Sequence, residues 1–265
     1  MDKIKIVFFG SDPWAIHVLK ALEEKFEVLV VVTASNSAVA NYFKGVVFTP
    51  NELDSDFLAS RLSPLASDLF IVASYGKIIP KSILDIPKYG ALNVHPSLLP
   101  RYRGPSPVPA TILNGDKETG VTIIKMDAEV DHGPIISTRK ISLSRQEDFT
   151  TLINKLFRVG AEALIEIIPD FVGGKVKLQQ QDHKKAVYCK RMKKEDGCFD
   201  INFPPEPEKL DRMIRAYDPW PGVWTRWDNR IVKFYPGEKM QMEGKKILSL
   251  KDFLNGYPNF PLKNF

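Results

Sequence analysis

Asn93 and His95 stand two positions apart in the stretch ALNVHPSLLPRYRGPSPV, residues 91–108. At that spacing an amide and an imidazole point to one side of an extended strand, because successive side chains alternate across a sheet. Pro96 stiffens the exit from the strand, so both groups are read as exposed donors preorganised at a strand end. Further along, KMDAEVDHGP offers Asp127, Glu129 and Asp131 in a turn-like loop ahead of Gly133. If the two strands that lead into these segments are parallel neighbours, the loop brings a carboxylate beside His95. An amide donor, an imidazole and a carboxylate at adjacent strand ends suit acyl transfer, in which a tetrahedral oxyanion is stabilised and protons are moved. The plainer reading stands beside it: a strand-end Asn and His are often satisfied by neighbouring backbone groups, and spacing alone does not choose.

The elements that must position these residues alternate in type. KIKIVFFGSDPWAIHVLKALEE reads as a buried strand, a turn at Gly10 and an amphipathic helix with Trp14, Val18 and Leu22 on its apolar side. Further strands are predicted in FEVLVVVTA, ASDLFIVAS, YGALNVH and GVTIIKM, with helical intervals including NELDSDFLASRLSPL and GPSPVPATILNGD. This order implies an α/β fold with a mostly parallel, Rossmann-like sheet whose ligands gather beyond the carboxyl ends of the strands. The Gly10 turn does not follow G-x-G-x-x-G, so no nicotinamide cofactor is expected. A strand and a long helix over STRKISLSRQEDFTTLINKLFRVGAEALIEIIPDFVGGK complete this part. The chain then turns basic and Pro-rich, and EKLDRMIRAY and DPWPGVWTRWDNRIVKFYPGEK supply a helix and two strands of a smaller, β-containing C-terminal region. The expected division is 1–180 for the larger domain, 181–203 for a basic, Pro-rich linker and 204–265 for the small domain.

Composition narrows the partners. The chain of 265 residues carries a net charge of +5, and six of its cations cluster in HKKAVYCKRMKKEDG: Lys184, Lys185, Lys190, Arg191, Lys193 and Lys194. Such a tract can meet a phosphate backbone or serve as a solvated linker, and composition weighs the two evenly. Cys189 and Cys198 have no partner at metal-ligand spacing and are read as free thiols, so no metal is expected. The chain holds no apolar run of about 18 residues, and its opening MDKIKIVFFGSD has no secretory pattern. A cytoplasmic location without a membrane segment is expected. His17 is expected on a helix surface or partly packed, His132 beside the site and His183 within the basic tract. Trp14, Phe9 and Tyr75 can line a pocket; for Phe9 and Trp14 a place in the core is an equal expectation.

NVHPSLLPRYRGPSPV together with GDKETGVTIIKMDAEVDHGPII resembles the signature of the folate-dependent formyltransferases, which share Asn-x-His and a downstream Asp. The resemblance implies a catalytic trio of Asn93, His95 and Asp131. It also implies that YGKIIP and SLLP contact 10-formyltetrahydrofolate, the formyl donor, through Lys77, Ile78, Ile79, Ser97, Leu98, Leu99 and Pro100, together with Asp127. RAYDPWPGVWT and MQMEGKKILSLKDFLNGYPN are similar to the branch whose acceptor is methionyl-tRNA, so the resemblance spans nearly the whole chain and implies a monomer that binds tRNA. Two departures stand out. The stretch between VKFYPGE and MQMEGKK is short for that branch's C-terminal β-barrel, and TASNSAVANYFKG lacks the basic loop expected after the second strand. Both leave room for a nucleotide-linked amino sugar as acceptor. A tRNA-binding protein without catalysis is a third possibility, against which the intact trio stands.

Overall fold

The computed structural model describes residues 3–50 and 55–265. In chain order the first elements are β1 Lys5–Phe9, α1 Ala15–Lys25, β2 Glu27–Val32, α2 Ala38–Tyr42, β3 Val46–Phe48, α3 Ser55–Leu62, β4 Leu69–Val72, α4 Lys81–Leu84 and β5 Ala91–His95. They are followed by α5 Pro107–Leu113, β6 Glu118–Lys125, β7 Ile135–Ser142, α6 Phe149–Val172 and α7 Pro207–Tyr217. The chain ends with β8 Val223–Trp227, β9 Arg230–Tyr235, β10 Lys239–Met242, β11 Leu248–Ser249 and α8 Leu250–Gly256. These residues form two compact units. The first runs to Pro105 and takes in Glu118–Ile141 and Ile153–Tyr188; the second comprises Ser106–Lys117, Ser142–Leu152 and Cys189–Phe265.

The first unit is a seven-stranded sheet in the order β3-β2-β1-β4-β5-β6-β7. Strands buried on both faces read as unbroken apolar runs, and β1 (KIVFF) and β4 (LFIV) do so because helices cover both sides of a parallel sheet. On α1 the residues Ala15, Val18, Leu19 and Leu22 recur at helical spacing and are all buried. The pairs β1–β2, β2–β3, β1–β4 and β4–β5 are parallel. The order reverses at β1, with β2 on one side and β4 on the other, and this is where doubly wound sheets open a ligand crevice.

One expectation fails at the edge nearest the trio. β5 and β6 are antiparallel, with Leu92 opposite Lys125 and His95 opposite Thr122. The loop after β6 therefore starts beside the beginning of β5, where the Met126 amide donates to the Ala91 carbonyl. Asp131 reaches His95 because residues 126–134 fold back along β5. The return is tight at Gly133, where an added Cβ would lie 1.9 Å from the Lys125 carbonyl oxygen. On the other face of β5, α6 comes so close at Gly160 that a Cβ there would meet Val94 at 2.6 Å. With Val94 committed to that helix, strand alternation leaves Asn93 and His95 on the opposite face.

The second unit holds a four-stranded antiparallel sheet in the order β11-β10-β9-β8. β8 and β9 pair through a two-residue turn at Asp228 and Asn229, whose φ values of 50° and 58° suit the tight hairpin that DN signals. Alternate residues Val223, Thr225, Val232, Phe234, Met240 and Met242 are buried, and Phe253 and Phe260 close that face edge to face at 5.3 Å. The two strands expected here are β8 and β9. The short β10 and β11 and the helix α8 add to them, because alternation over only four and two residues is too brief to stand out in sequence.

Candidate functional site

Asn93 and His95 both reach Asp131. The Asn93 Nδ2 donates to Asp131 Oδ1 at 3.2 Å, and His95 Nδ1 lies 3.4 Å from the same oxygen. Asp131 Oδ2 accepts the Gly104 backbone N–H at 2.8 Å. On the far side of the ring, His95 Nε2 pairs with the Tyr102 carbonyl at 2.9 Å. A carbonyl accepts only, so Nε2 carries the proton that it donates there. His95 is 4% exposed. This corrects the expectation of an exposed donor: the ring is sealed between the loop after β6 and the turn after β5, while Asn93 remains half-buried.

That turn is pinned from inside. The Ser97 amide donates to the His95 carbonyl at 2.9 Å, and the Ser97 hydroxyl to the Arg101 carbonyl at 2.7 Å. Thr122, opposite His95 on β6, donates to the Ser97 carbonyl and accepts the Leu99 amide. Ser97 and Leu99 are thereby buried, with Leu98 and Pro100 half-buried. Their anchoring presents the Tyr102 carbonyl to His95. Of the other residues expected at a folate site, Ile79 is buried, Lys77 is exposed with Nζ donating to the Pro50 carbonyl, and Ile78 is 76% exposed. Asp127 Oδ2 pairs with His132 Nδ1 at 2.7 Å, and its Oδ1 accepts the Glu129 amide. Asp127 is thus paired with His132 and Glu129 is exposed, while Asp131 faces His95.

Sequence reasoning missed several groups that hold the trio. Tyr102 and Gly104 act through the backbone, for which residue type carries no signal. Arg103, between them, is buried, and its guanidinium donates to Gln181 Oε1, the Tyr188 hydroxyl and His183 Nδ1. The His183 ring stacks on His132, the neighbour of Asp131, with centroids 4.1 Å apart. His17 is half-buried and bonds Asn154 Oδ1 at 2.9 Å. Phe9 and Tyr75 lie in the core, ring against ring at 5.4 Å, and burial pushes the Tyr75 hydroxyl up to about 12. At the carboxyl ends of β1 and β4, Trp14 Nε1 donates to Ser74 Oγ, which donates to Asp12 Oδ2. Burial holds the Asp12 carboxyl above its ordinary range, and the Ser74 hydroxyl offsets part of that rise. Both cysteines are free, and no metal-binding cluster of His, Cys, Asp or Glu occurs among the described residues.

The arrangement can donate a hydrogen bond to an oxygen that gains charge and hold an imidazole beside a carboxylate, on a water-poor strand end. Comparison with known proteins agrees with that chemistry. The formyl transferase family model matches residues 4–168, and the model of the formyl transferase C-terminal domain matches residues 191–238. The methionyl-tRNA formyltransferase of Roseiflexus sp. (strain RS-1) is 40% identical over 246 residues, covering 87% of this chain and 75% of that protein. HypX from Aquifex aeolicus in complex with tetrahydrofolic acid shares the fold at a TM-score of 0.70 and 16% identity, over 97% of this chain and 48% of its own. A sugar N-formyltransferase from Shewanella sp FDAARGOS_354 does so at 0.69 and 15%, over 88% of this chain and 96% of its own. With the family model covering the whole strand-and-loop frame that assembles Asn93, His95 and Asp131, the chain belongs to the formyl transferase family.

Proposed function

We propose that this protein transfers the formyl group of 10-formyltetrahydrofolate to the α-amino group of methionyl-tRNA, with Asn93, His95 and Asp131 as the reacting constellation. The observation that carries the reading is the convergence of the Asn93 amide and the His95 ring on one half-buried carboxylate. As an amine adds to a formyl carbon, negative charge grows on the formyl oxygen. Asn93 spends one amide hydrogen on Asp131 and has a second to donate to that oxygen. The His95 imidazolium supplies positive charge next to it, and Asp131 keeps that charge in place and is a base for the proton the amine sheds; collapse of the adduct then breaks the bond from the formyl carbon to N10 of the folate, which leaves as the amine with that proton.

The formyl donor fits the residues near the strand ends. Ile78 holds an apolar side chain in solvent and Leu98 is half-buried, so a flat heterocycle would gain by covering them. Lys77, Ile79, Ser97, Leu99, Pro100 and Asp127 complete the proposed contacts. When bound, the folate supplies an activated one-carbon group, and this chain's part is to orient it and stabilise the charge that develops.

For the acceptor, the Roseiflexus relative bears the name of an enzyme that acts on methionyl-tRNA. Lys184, Lys185, Lys190, Arg191, Lys193 and Lys194 are all exposed, as phosphate contacts require. On this reading residues 1–180 carry the chemistry, 181–203 link, 204–265 serve the acceptor, and the enzyme works as a cytoplasmic monomer. No helix among the described residues is long and apolar enough to cross a membrane. An amino sugar is favoured as rival by one observation: after β2 the chain makes only the short α2 and carries a single cation, Lys44, before β3. Formyl transfer from 10-formyltetrahydrofolate, measured in parallel on methionyl-tRNA and on nucleotide-linked amino sugars, decides between them. Turnover of methionyl-tRNA alone is expected; turnover of amino sugars alone would overturn the assignment.

A further inference from the structure

Gln181 follows the long helix, 50 positions from Asp131, yet it is 5% exposed and every hydrogen-bonding capacity of its amide is used. Nε2 donates to the Asp131 carbonyl at 2.9 Å and to the Gly133 carbonyl at 2.7 Å. Oε1 accepts Arg103 Nε at 3.2 Å and a second guanidinium nitrogen at 2.7 Å. An amide offers two donors and two acceptor lone pairs, and here the donors hold one loop while the acceptors hold the other.

The two loops are those that meet at the trio. Asp131 has φ of 50°, a left-handed conformation that a residue with a side chain adopts only when its surroundings impose it. The bond from Gln181 to its carbonyl is one such constraint, and the bond to Gly133 fixes the tight return that follows. Across the gap, Arg103 is flanked by Tyr102, whose carbonyl meets His95 Nε2, and by Gly104, whose N–H meets Asp131 Oδ2. Gln181 is itself steadied by the reciprocal backbone pair between Gln179 and Ile135. We infer that Gln181 is a positioning residue for formyl transfer, setting the Asp131 carboxylate against His95 by tying the loop after β6 to the turn after β5. The inference rests on Asn93, His95 and Asp131 being the reacting constellation.

The test compares kcat and KM for Gln181→Met, Gln181→Glu, Asp131→Asn and the double variant Gln181→Met/Asp131→Asn. Small misplacements in a reacting site cost up to roughly 100-fold, so Gln181→Met is expected to lower kcat about 10- to 100-fold with KM for methionyl-tRNA nearly constant. Gln181→Glu keeps the shape and the acceptors for Arg103 but loses the donors to Asp131 and Gly133, and the same fall is expected. It carries the test if the methionine variant fails to fold. Because Gln181 acts through Asp131, the double variant should be no slower than Asp131→Asn alone. Wild-type kcat in Gln181→Glu, or losses that multiply in the double variant, would overturn the inference. Wild-type kcat in Asp131→Asn would instead sink the trio on which it rests.

Discussion

Asp131→Asn replaces one oxygen by an NH2 group at nearly constant volume, and the structure shows why the exchange cannot be silent. Oδ2 accepts the Gly104 N–H and Oδ1 accepts Asn93 Nδ2 while facing His95 Nδ1. An asparagine has one acceptor for these two places. If its oxygen stays with Gly104, its NH2 confronts the Asn93 NH2; if it turns, two donors meet at Gly104 instead. A buried donor without an acceptor costs about 1–3 kcal/mol, to be read as a lowered denaturation midpoint. The larger effect falls on rate. Without the carboxylate, the negative charge that faces His95 Nδ1 is gone, and with it the electrostatic support for the charge that develops in the reaction. Removing one such preorganised group costs roughly a hundredfold or more in kcat, about 3 kcal/mol. The assay is formyl transfer to methionyl-tRNA at saturating formyl donor, with KM for both substrates and a urea melt of the same preparation. Glu129→Gln, on an exposed residue of the same loop, serves as the control for disturbance of the loop. A folded Asp131→Asn protein with kcat within about twofold of the parent, or a loss confined to KM, would refute the reasoning.

His95→Ala should lose a similar factor in kcat and also about 1–3 kcal/mol of stability in urea, because the buried Tyr102 carbonyl is left without its donor; an unchanged midpoint would mean the ring is not sealed in. Neutralising Lys190, Arg191, Lys193 and Lys194 together should raise KM for methionyl-tRNA and reduce the slope of log KM against log salt by up to about 3, with kcat nearly constant; identical KM at every salt concentration would remove the tract from the tRNA surface. Asp12→Asn should raise the melting temperature at neutral pH. The folded-state pKa of Asp12 is raised, so the native state binds more protons than the unfolded state between the ordinary value of 3.8 and the raised value, and stability falls as pH climbs through that window. The gain should shrink as pH is lowered toward 3.8, and a gain independent of pH would exclude the carboxyl as its source.

Local pattern was enough for much of this protein. The two-residue period that places Asn93 and His95 on one face, the apolar runs of β1 and β4 and the helical spacing of α1 are dictated by neighbours in the chain. They are legible because strand and helix geometry repeat every few residues. The likeness of NVHPSLLPRYRGPSPV to a formyltransferase signature added the trio, and the structure brings those three side chains together. What tertiary structure alone decided lies at longer range. The antiparallel pairing of β5 with β6 reverses the route by which the loop reaches His95, and the alternation of a strand's own side chains is the same whichever way its neighbour runs. That Asp131, not Asp127 or Glu129, meets His95 depends on a backbone at φ 50° whose carbonyl Gln181 holds and a carboxylate that the Gly104 N–H holds, residues 50 and 27 positions away in sequence. The burial of His95 follows from the same closure, since a side chain is sealed only when segments distant in the chain meet over it, and no local period encodes that meeting.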